Sequence, residues 1–293
     1  VLTQTAGGLG ELAAAFPFEW WQAALILVAG VWAGLINTIV GSGTLVTFPV
    51  LVAMGVPPVT ATMSNAMGLI AGNLTGAWHY RAELRGVERT LLKLLPCSVA
   101  GGVVGAALLL HLPESVFGYA APVLVVVALL FVVFQPRLQA VVRRRKDAQA
   151  QAAAEAARAR GETPRPLDPD RSAQPAALYV LVTLAGVYGG YFVAAQGVLL
   201  LGILGVFLLA SLQAANAVKV VLVAVVNIVA AVSYILFAPE RIDWWVVALI
   251  ALSSSAGSWA GAKIGRRLSP VALRTVIVLL GLVALVALVA RLL

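Results

Sequence analysis

Ten apolar stretches divide the chain, at residues 20–40, 44–56, 59–80, 93–111, 115–134, 177–195, 198–210, 212–237, 244–262 and 271–290. Charged residues gather in the gaps between them. Runs of about 20 apolar residues are what a ~30 Å hydrocarbon core demands of a helix. No period-2 alternation recurs, which argues against a transmembrane β-barrel. The pattern predicts an all-α, polytopic membrane protein.

The gap between the fifth and sixth stretches differs from the others. Residues 135–176 are rich in Ala, Gln, Arg and Pro and contain Arg143-Arg144-Arg145-Lys146. They read as a solvated basic connector, helical over the Ala-rich part and irregular near Pro164–Pro169. Residues 1–19 lack the basic start and cleavage site of a signal peptide and read as an exposed lead-in.

The stretches on either side of the connector resemble each other. Gly30-Val-Trp-Ala-Gly34 matches Gly186-Val-Tyr-Gly-Gly190, Asn73 matches Asn227, Tyr80 matches Tyr234, and Gly101–Gly105 matches Gly257–Gly261. An offset sustained at about 155 residues is an internal repeat of the kind transporters carry. Residues 20–134 form the first membrane repeat and 177–293 the second.

Charge adds orientation. The net charge of +8 lies mostly in loops between apolar runs. The positive-inside rule explains it there, so nucleic acid is set aside as a partner. In the first repeat Arg81, Arg85, Arg89 and Lys93 follow the third stretch, while the next loop, 111–114, has no Lys or Arg. The second repeat reverses this: loop 238–243 is poor in cations and the next carries Lys263, Arg266 and Arg267. Basic loops stay cytoplasmic. Equivalent loops then lie on opposite faces, and the repeat is inverted. An odd number of crossings follows, five plus five, with both termini outside and basic loops 81–93, 135–175 and 263–267 in the cytoplasm of a plasma-membrane protein. A four-plus-four arrangement, with 44–56 and 198–210 re-entrant, would leave Lys263, Arg266 and Arg267 outside.

Two corresponding stretches, 44–56 and 198–210, are short. Thirteen residues make a helix of only about 20 Å. Each follows a break, Gly41-Ser42-Gly43 in one repeat and Gln196-Gly197 in the other. Interrupted helices at matching places point to a transporter's binding site. Helix starts exposed there offer N–H groups to an anion. Ser42, Thr44 and Thr47 add hydroxyls. Gly34 and Gly190 are read instead as helix-packing residues.

The long helices that follow the short ones carry polar residues inside apolar runs: Thr62, Ser64, Asn65 and Asn73 in one, and Asn216, Lys219 and Asn227 in the other. An ionisable residue inside a membrane segment is a functional candidate. No Asp or Glu occurs in a central apolar stretch. Lys219 therefore has no protein counter-ion in the sequence, and an anionic substrate would supply one. A bland role also fits: its helix begins near residue 212, so the side chain could reach the interface. The only histidines, His79 and His111, lie near predicted helix ends and make poor proton relays. Cys97 is the single cysteine, which excludes an intrachain disulfide and a cysteine-based metal site. No catalytic group, metal or cofactor is indicated.

Residues 34–62 carry a resemblance. Gly34-Leu-Ile-Asn37 leads into Gly41-Ser-Gly43, then Pro49, Gly55-Val-Pro57 and Ala61-Thr62. This resembles the TauE/SafE family of sulfite and sulfonate exporters, with its Gly-rich break, short Pro-containing helix, Gly-Leu-Pro turn and Ala-Thr/Ser helix. The resemblance implies outward transport of small sulfur oxyanions or organosulfonates. The second repeat departs from the family's pattern, having Ala195-Gln196-Gly197 and no Pro in 198–210.

The expected function is a secondary transporter of a small anion, sulfite or a short sulfonate, working by alternating access as one half rocks against the other. Its site would be built from Asn37, Gly41, Ser42, Gly43, Thr44, Thr62, Ser64, Asn65, Asn73, Gln196, Gly197, Asn216, Lys219 and Asn227. The partners are the substrate and the lipid bilayer, with a homodimer permitted. Two rivals stand beside it. One is an intramembrane hydrolase using Ser42 with Lys219, and the other is a passive anion channel.

Overall fold

The structure is a computed structural model that describes residues 17–160, 174–208, 210–264 and 270–290. Most of the lead-in, Pro164–Pro169, Arg266 and Arg267 lie outside the described residues. Ten α-helices follow one another among the described residues. They are α1 (Trp20–Ile39), α2 (Thr44–Ala53), α3 (Pro58–His79), α4 (Glu88–His111), α5 (Glu114–Ala159), α6 (Ala176–Tyr191), α7 (Gln196–Phe207), α8 (Leu212–Phe237), α9 (Trp244–Ile264) and α10 (Pro270–Ala290). Short 3-10 turns at Arg81–Leu84 and Pro239–Arg241 precede α4 and α9. Six of the helices are long and apolar enough to cross a membrane. The protein is an all-α, multi-pass membrane protein.

The short elements are shorter than expected. α2 has 10 residues and α7 has 12. At 1.5 Å per residue they reach only about 15 and 18 Å, too little to cross a ~30 Å core. The fifth helix is longer than expected. It does not stop at 134 but runs 46 residues, through Pro136 and the Arg143–Lys146 cluster. The fall in hydropathy there ends the apolar run but not the helix, because the Ala-rich run beyond it has high helix propensity. Gln135, assigned above to the solvated connector, is buried.

Small residues decide which helices meet. Gly34 lies against Ser254 and Gly257 against Val31, so α1 and α9 run parallel with their backbones in contact. Gly101 and Gly105 meet Gly186 and Gly190, so α4 and α6 pair in the same way. Close small-residue contacts of this kind replace the hydrophobic drive that helices lack inside lipid. These contacts also correct the register of the sequence repeat. Gly34 faces Ser254 as Gly186 faces Ser98. Gly186, one helical turn before Gly190, is therefore the structural counterpart of Gly34.

The pairings exchange partners between the sequence repeats. α1, α2 and α3 pack with α9 and α10, whereas α4 and α5 pack with α6, α7 and α8. One bundle is thus continuous in sequence, residues 88–237. The other joins residues 20–79 to 244–290. The bundles meet mainly along α3 against α8 and α5 against α10.

Loop contacts fix the two ends of the molecule. Arg241 reaches Glu114 across 3.6 Å, so loops 111–114 and 238–243 share one end. Leu84 and Val87 pack into the cluster that holds Leu208 and Leu212, so loop 80–87 lies at the opposite end, where α8 begins. α9 starts at the first end and finishes with Lys263 at the second. Arg81 stacks on Trp78, and Lys263 sits 3.9 Å above the Trp259 ring. α1 runs parallel to α9 and α6 parallel to α4, so α1 and α6 run in opposite directions.

Candidate functional site

The two breaks meet. α1 ends at Ile39, and the Ile36 carbonyl accepts from both the Val40 and Gly41 N–H groups, so the helix closes on a wide i→i+5 turn. Gly41 then adopts φ +96°, which costs an L side chain about 1–2 kcal/mol. A Cβ built on Gly41 would lie 2.8 Å from the Gly197 Cα, and one on Gly197 2.7 Å from the Gly41 Cα. The starts of the half-length helices α2 and α7 therefore converge with only glycine between them. A methyl group at Gly197 must push the breaks apart. Gly197→Ala is expected to lower unfolding stability by about 1–3 kcal/mol, the usual cost of overpacking, and thermal unfolding of the purified protein measures it.

The second break reverses the chain without glycine at its sharpest points. Val193 and Ala195 adopt φ +67° and +58°. A left-handed β-branched residue is a genuine outlier. Both residues are buried, and packing holds them in place. Neither residue type announces a positive φ in the sequence, since Gly, Asn and Asp are the types that favour it.

Polar side chains gather around the breaks in three groups. In the first, Asn65 accepts from Thr47 and donates 3.2 Å to Thr44, joining α3 to the first turn of α2. In the second, Asn37 donates to Asn73, joining α1 to α3. In the third, side chains of the other bundle reach the carbonyls that the end of α1 leaves open. Lys219 Nζ donates 3.0 Å to the Asn37 carbonyl, Asn216 Nδ2 donates 3.3 Å to Thr38, and Gln135 Nε2 donates 3.4 Å to Val40. A helix C-terminus carries partial negative charge and favours a cation. Lys219 is 1% exposed, and its ammonium rests on that carbonyl.

Several buried polar atoms have no hydrogen-bond partner among the described residues: Ser42 Oγ, Asn73 Nδ2, Asn216 Oδ1, and both amide atoms of Gln196 and of Asn227. An unmatched buried amide or hydroxyl costs about 1–3 kcal/mol. Gln196 lies over Gly189, filling the space a side chain there would need. In the corrected register Gly189 corresponds to Asn37. Gln196 thus delivers from the break an amide that the first repeat delivers from its preceding helix.

Two expected site residues turn elsewhere. Thr62 donates to Pro58 of its own helix. Ser64 accepts from the Asp243 N–H and anchors the loop before α9. His79 and His111 each contact a carbonyl of their own helix. An apolar cavity of about 240 Å³ lies between α5 and α7, and Gln135 is its one polar lining residue among the described residues, so it does not suit a hydrated anion.

Comparison with known proteins agrees with this architecture. A protein from Sinorhizobium named a probable membrane transporter is 30% identical over 117 residues, covering 39% of this chain and 44% of the relative. Similarly named proteins of Haemophilus influenzae and Escherichia coli are 26% and 28% identical over 115 residues, covering 39% of this chain and 45% and 42% of theirs. The chain thus spans less than half the length of the curated relatives it matches. No solved structure matches it. The family described as Sulfite exporter TauE/SafE matches residues 26–288. This span takes in both breaks and all but the ends of the helical core, and the chain belongs to that family of membrane transporters.

Proposed function

We propose that the protein is a secondary transporter that exports a small anion, sulfite or a short organosulfonate, by alternating access. The observation that carries the reading is the meeting of two half-helix starts beside a buried lysine. Helix starts present N–H donors and positive partial charge. Lys219 adds an amine that an anion would hold as an ammonium, and no Asp or Glu lies within α3 or α8 to neutralise it. Burying an ammonium costs several kcal/mol, only partly offset by one carbonyl. An oxyanion supplies the missing counter-charge. Ser42, Asn73, Gln196, Asn216 and Asn227 supply unspent hydrogen-bonding groups, while Gly41, Gly43, Thr44 and Asn65 shape the first break.

The breaks are in contact, so the anion is admitted only when the bundles part. The moving bodies in this reading are the packed bundles, 88–237 against 20–79 with 244–290, rather than the sequence repeats. The two repeats are oppositely oriented, and the end bearing Arg81, Arg85 and Lys263 faces the cytoplasm. The hydrolase rival lacks its dyad among the described residues, where Ser42 Oγ has no hydrogen-bond partner and Lys219 is engaged on Asn37. A nucleophile needs a base within reach.

Proteoliposomes loaded with sulfite, a short alkylsulfonate or thiosulfate test the reading. Saturable counterflow of at least one of them is expected. The same anion should stabilise the purified protein, by about 2.7 kcal/mol at one hundred times its Kd. Single-channel currents without counterflow would make the protein a channel. Counterflow of none of the three would refute this substrate class.

A further inference from the structure

The broken ends of α1 and α6 are held against the opposite bundle by unlike chemistry. The end of α1 belongs to the bundle 20–79 with 244–290. Its last carbonyls are taken by Lys219, Asn216 and Gln135, all from the bundle 88–237. Lys219 stands seven residues into α8, about 10 Å from the end that bears Arg81 and Lys263. The end of α6 has no such polar clasp among the described residues. Its Gly190 carbonyl accepts from Tyr234, a residue of its own bundle. The residue that follows α6, Phe192, instead meets Phe48 of α2 edge to face, with ring centres 5.6 Å apart. Phe192 also packs on Phe117, three residues from Glu114 at the other end of the molecule.

We propose that these two contacts are the transporter's gates: a polar latch of Gln135, Asn216 and Lys219 on α1 toward the basic-loop end, and an aromatic gate of Phe48 on Phe192 toward the other. The proposal rests on the alternating-access reading and adds which residues close each side. Both contacts cross the seam between bundles, and both sit where an unwound chain end meets its neighbour. Both are formed here, so the passage is shut at each end. The chemistry gives each gate its own trigger. A bound anion competes with the Asn37 carbonyl for the Lys219 ammonium, which loosens the latch. The aromatic pair has no charge to exchange and yields only to movement of α2.

Thiol labelling tests the assignment. Ser42→Cys in a Cys97→Ala background places a reporter at the first break, where Ser42 is buried. A membrane-impermeant methanethiosulfonate reagent is applied to right-side-out and inside-out vesicles. Gln135→Leu is expected to raise labelling about fivefold from the face bearing Arg81 and Lys263, the population shift that loss of one hydrogen bond produces. Phe48→Ala is expected to raise it from the opposite face only. Gln135→Met and Phe48→Leu, gentler changes, should show the same signs. A rise from the wrong face, an equal rise from both faces, or no rise in either pair of variants overturns the proposal. Labelling needs no substrate, so its outcome is separate from the anion tests. Counterflow can fail while the gates stand, and the gates can fail while counterflow stands.

Discussion

Lys219→Met should cut anion transport about 100-fold in proteoliposomes while leaving the protein folded. Truncating one partner of a buried, hydrogen-bonded charge pair costs roughly 2–5 kcal/mol, and 2.7 kcal/mol is a factor of about 100. Methionine keeps the length of the side chain and its apolar packing, so α8 should still seat against α1. The variant does leave the Asn37 carbonyl without its donor, a second effect besides the loss of charge. Lys219→Gln separates the two effects. It restores a donor near Asn37 but not the charge. If the ammonium binds the anion, Gln should fail as Met does, and neither variant should be stabilised by the anion that stabilises the parent. If Gln transports at the parental rate, Lys219 is only a cap for α1, and the anion must be held by the amides and helix starts alone.

The hydrophobic pattern located the ten helices and both breaks because lipid imposes its demand segment by segment. An apolar run must be long enough, and a run that falls short shows as a gap in the count. The buried lysine was legible for the same reason, being the lone charge in a long apolar stretch. What the pattern could not carry was partnership. Gly34 and Gly190 align by eye, yet packing pairs Gly34 with Ser254 and Gly186 with Ser98, one turn away. Thr62 and Ser64 sit among the site residues in sequence, but a helix turns each side chain about 100° from the last, and these two point to Pro58 and Asp243. Gln135 was missed because it stands at the edge of an apolar run, where a polar residue is unremarkable. Only the third dimension shows that α5 carries it to the Val40 carbonyl. The exchange of α4, α5, α9 and α10 between repeats is likewise silent in a single sequence. Nothing local records which of several Gly-x-x-x-Gly faces a helix will choose.

That exchange gives the second large effect. Two disulfides each join one sequence repeat to the other, but they differ in which bundles they tie. Gly102 of α4 and Val229 of α8 lie in the same bundle, with a Cβ on Gly102 3.4 Å from the Val229 Cβ, close to the 3.5–4.5 Å a disulfide spans. Leu129 of α5 and Gly281 of α10 lie in different bundles, with a Cβ on Gly281 3.2 Å from the Leu129 Cγ. In a Cys97→Ala background, oxidised Gly102→Cys/Val229→Cys should keep about half or more of parental counterflow. Oxidised Leu129→Cys/Gly281→Cys should lose nearly all of it and recover on reduction. A covalent tie across a moving seam holds the two bodies in one arrangement, and alternating access needs at least two. If the sequence repeats were the moving bodies, both disulfides would cross the seam and both would block transport. Loss of counterflow in oxidised Gly102→Cys/Val229→Cys, regained with reductant, would therefore return the motion to residues 20–134 against 177–293. Retention there with loss at Leu129 and Gly281 leaves α4 and α5 moving with α6, α7 and α8. The loops at 80–87 and 238–243 are then the two chain crossings between bundles, and the bending falls on them.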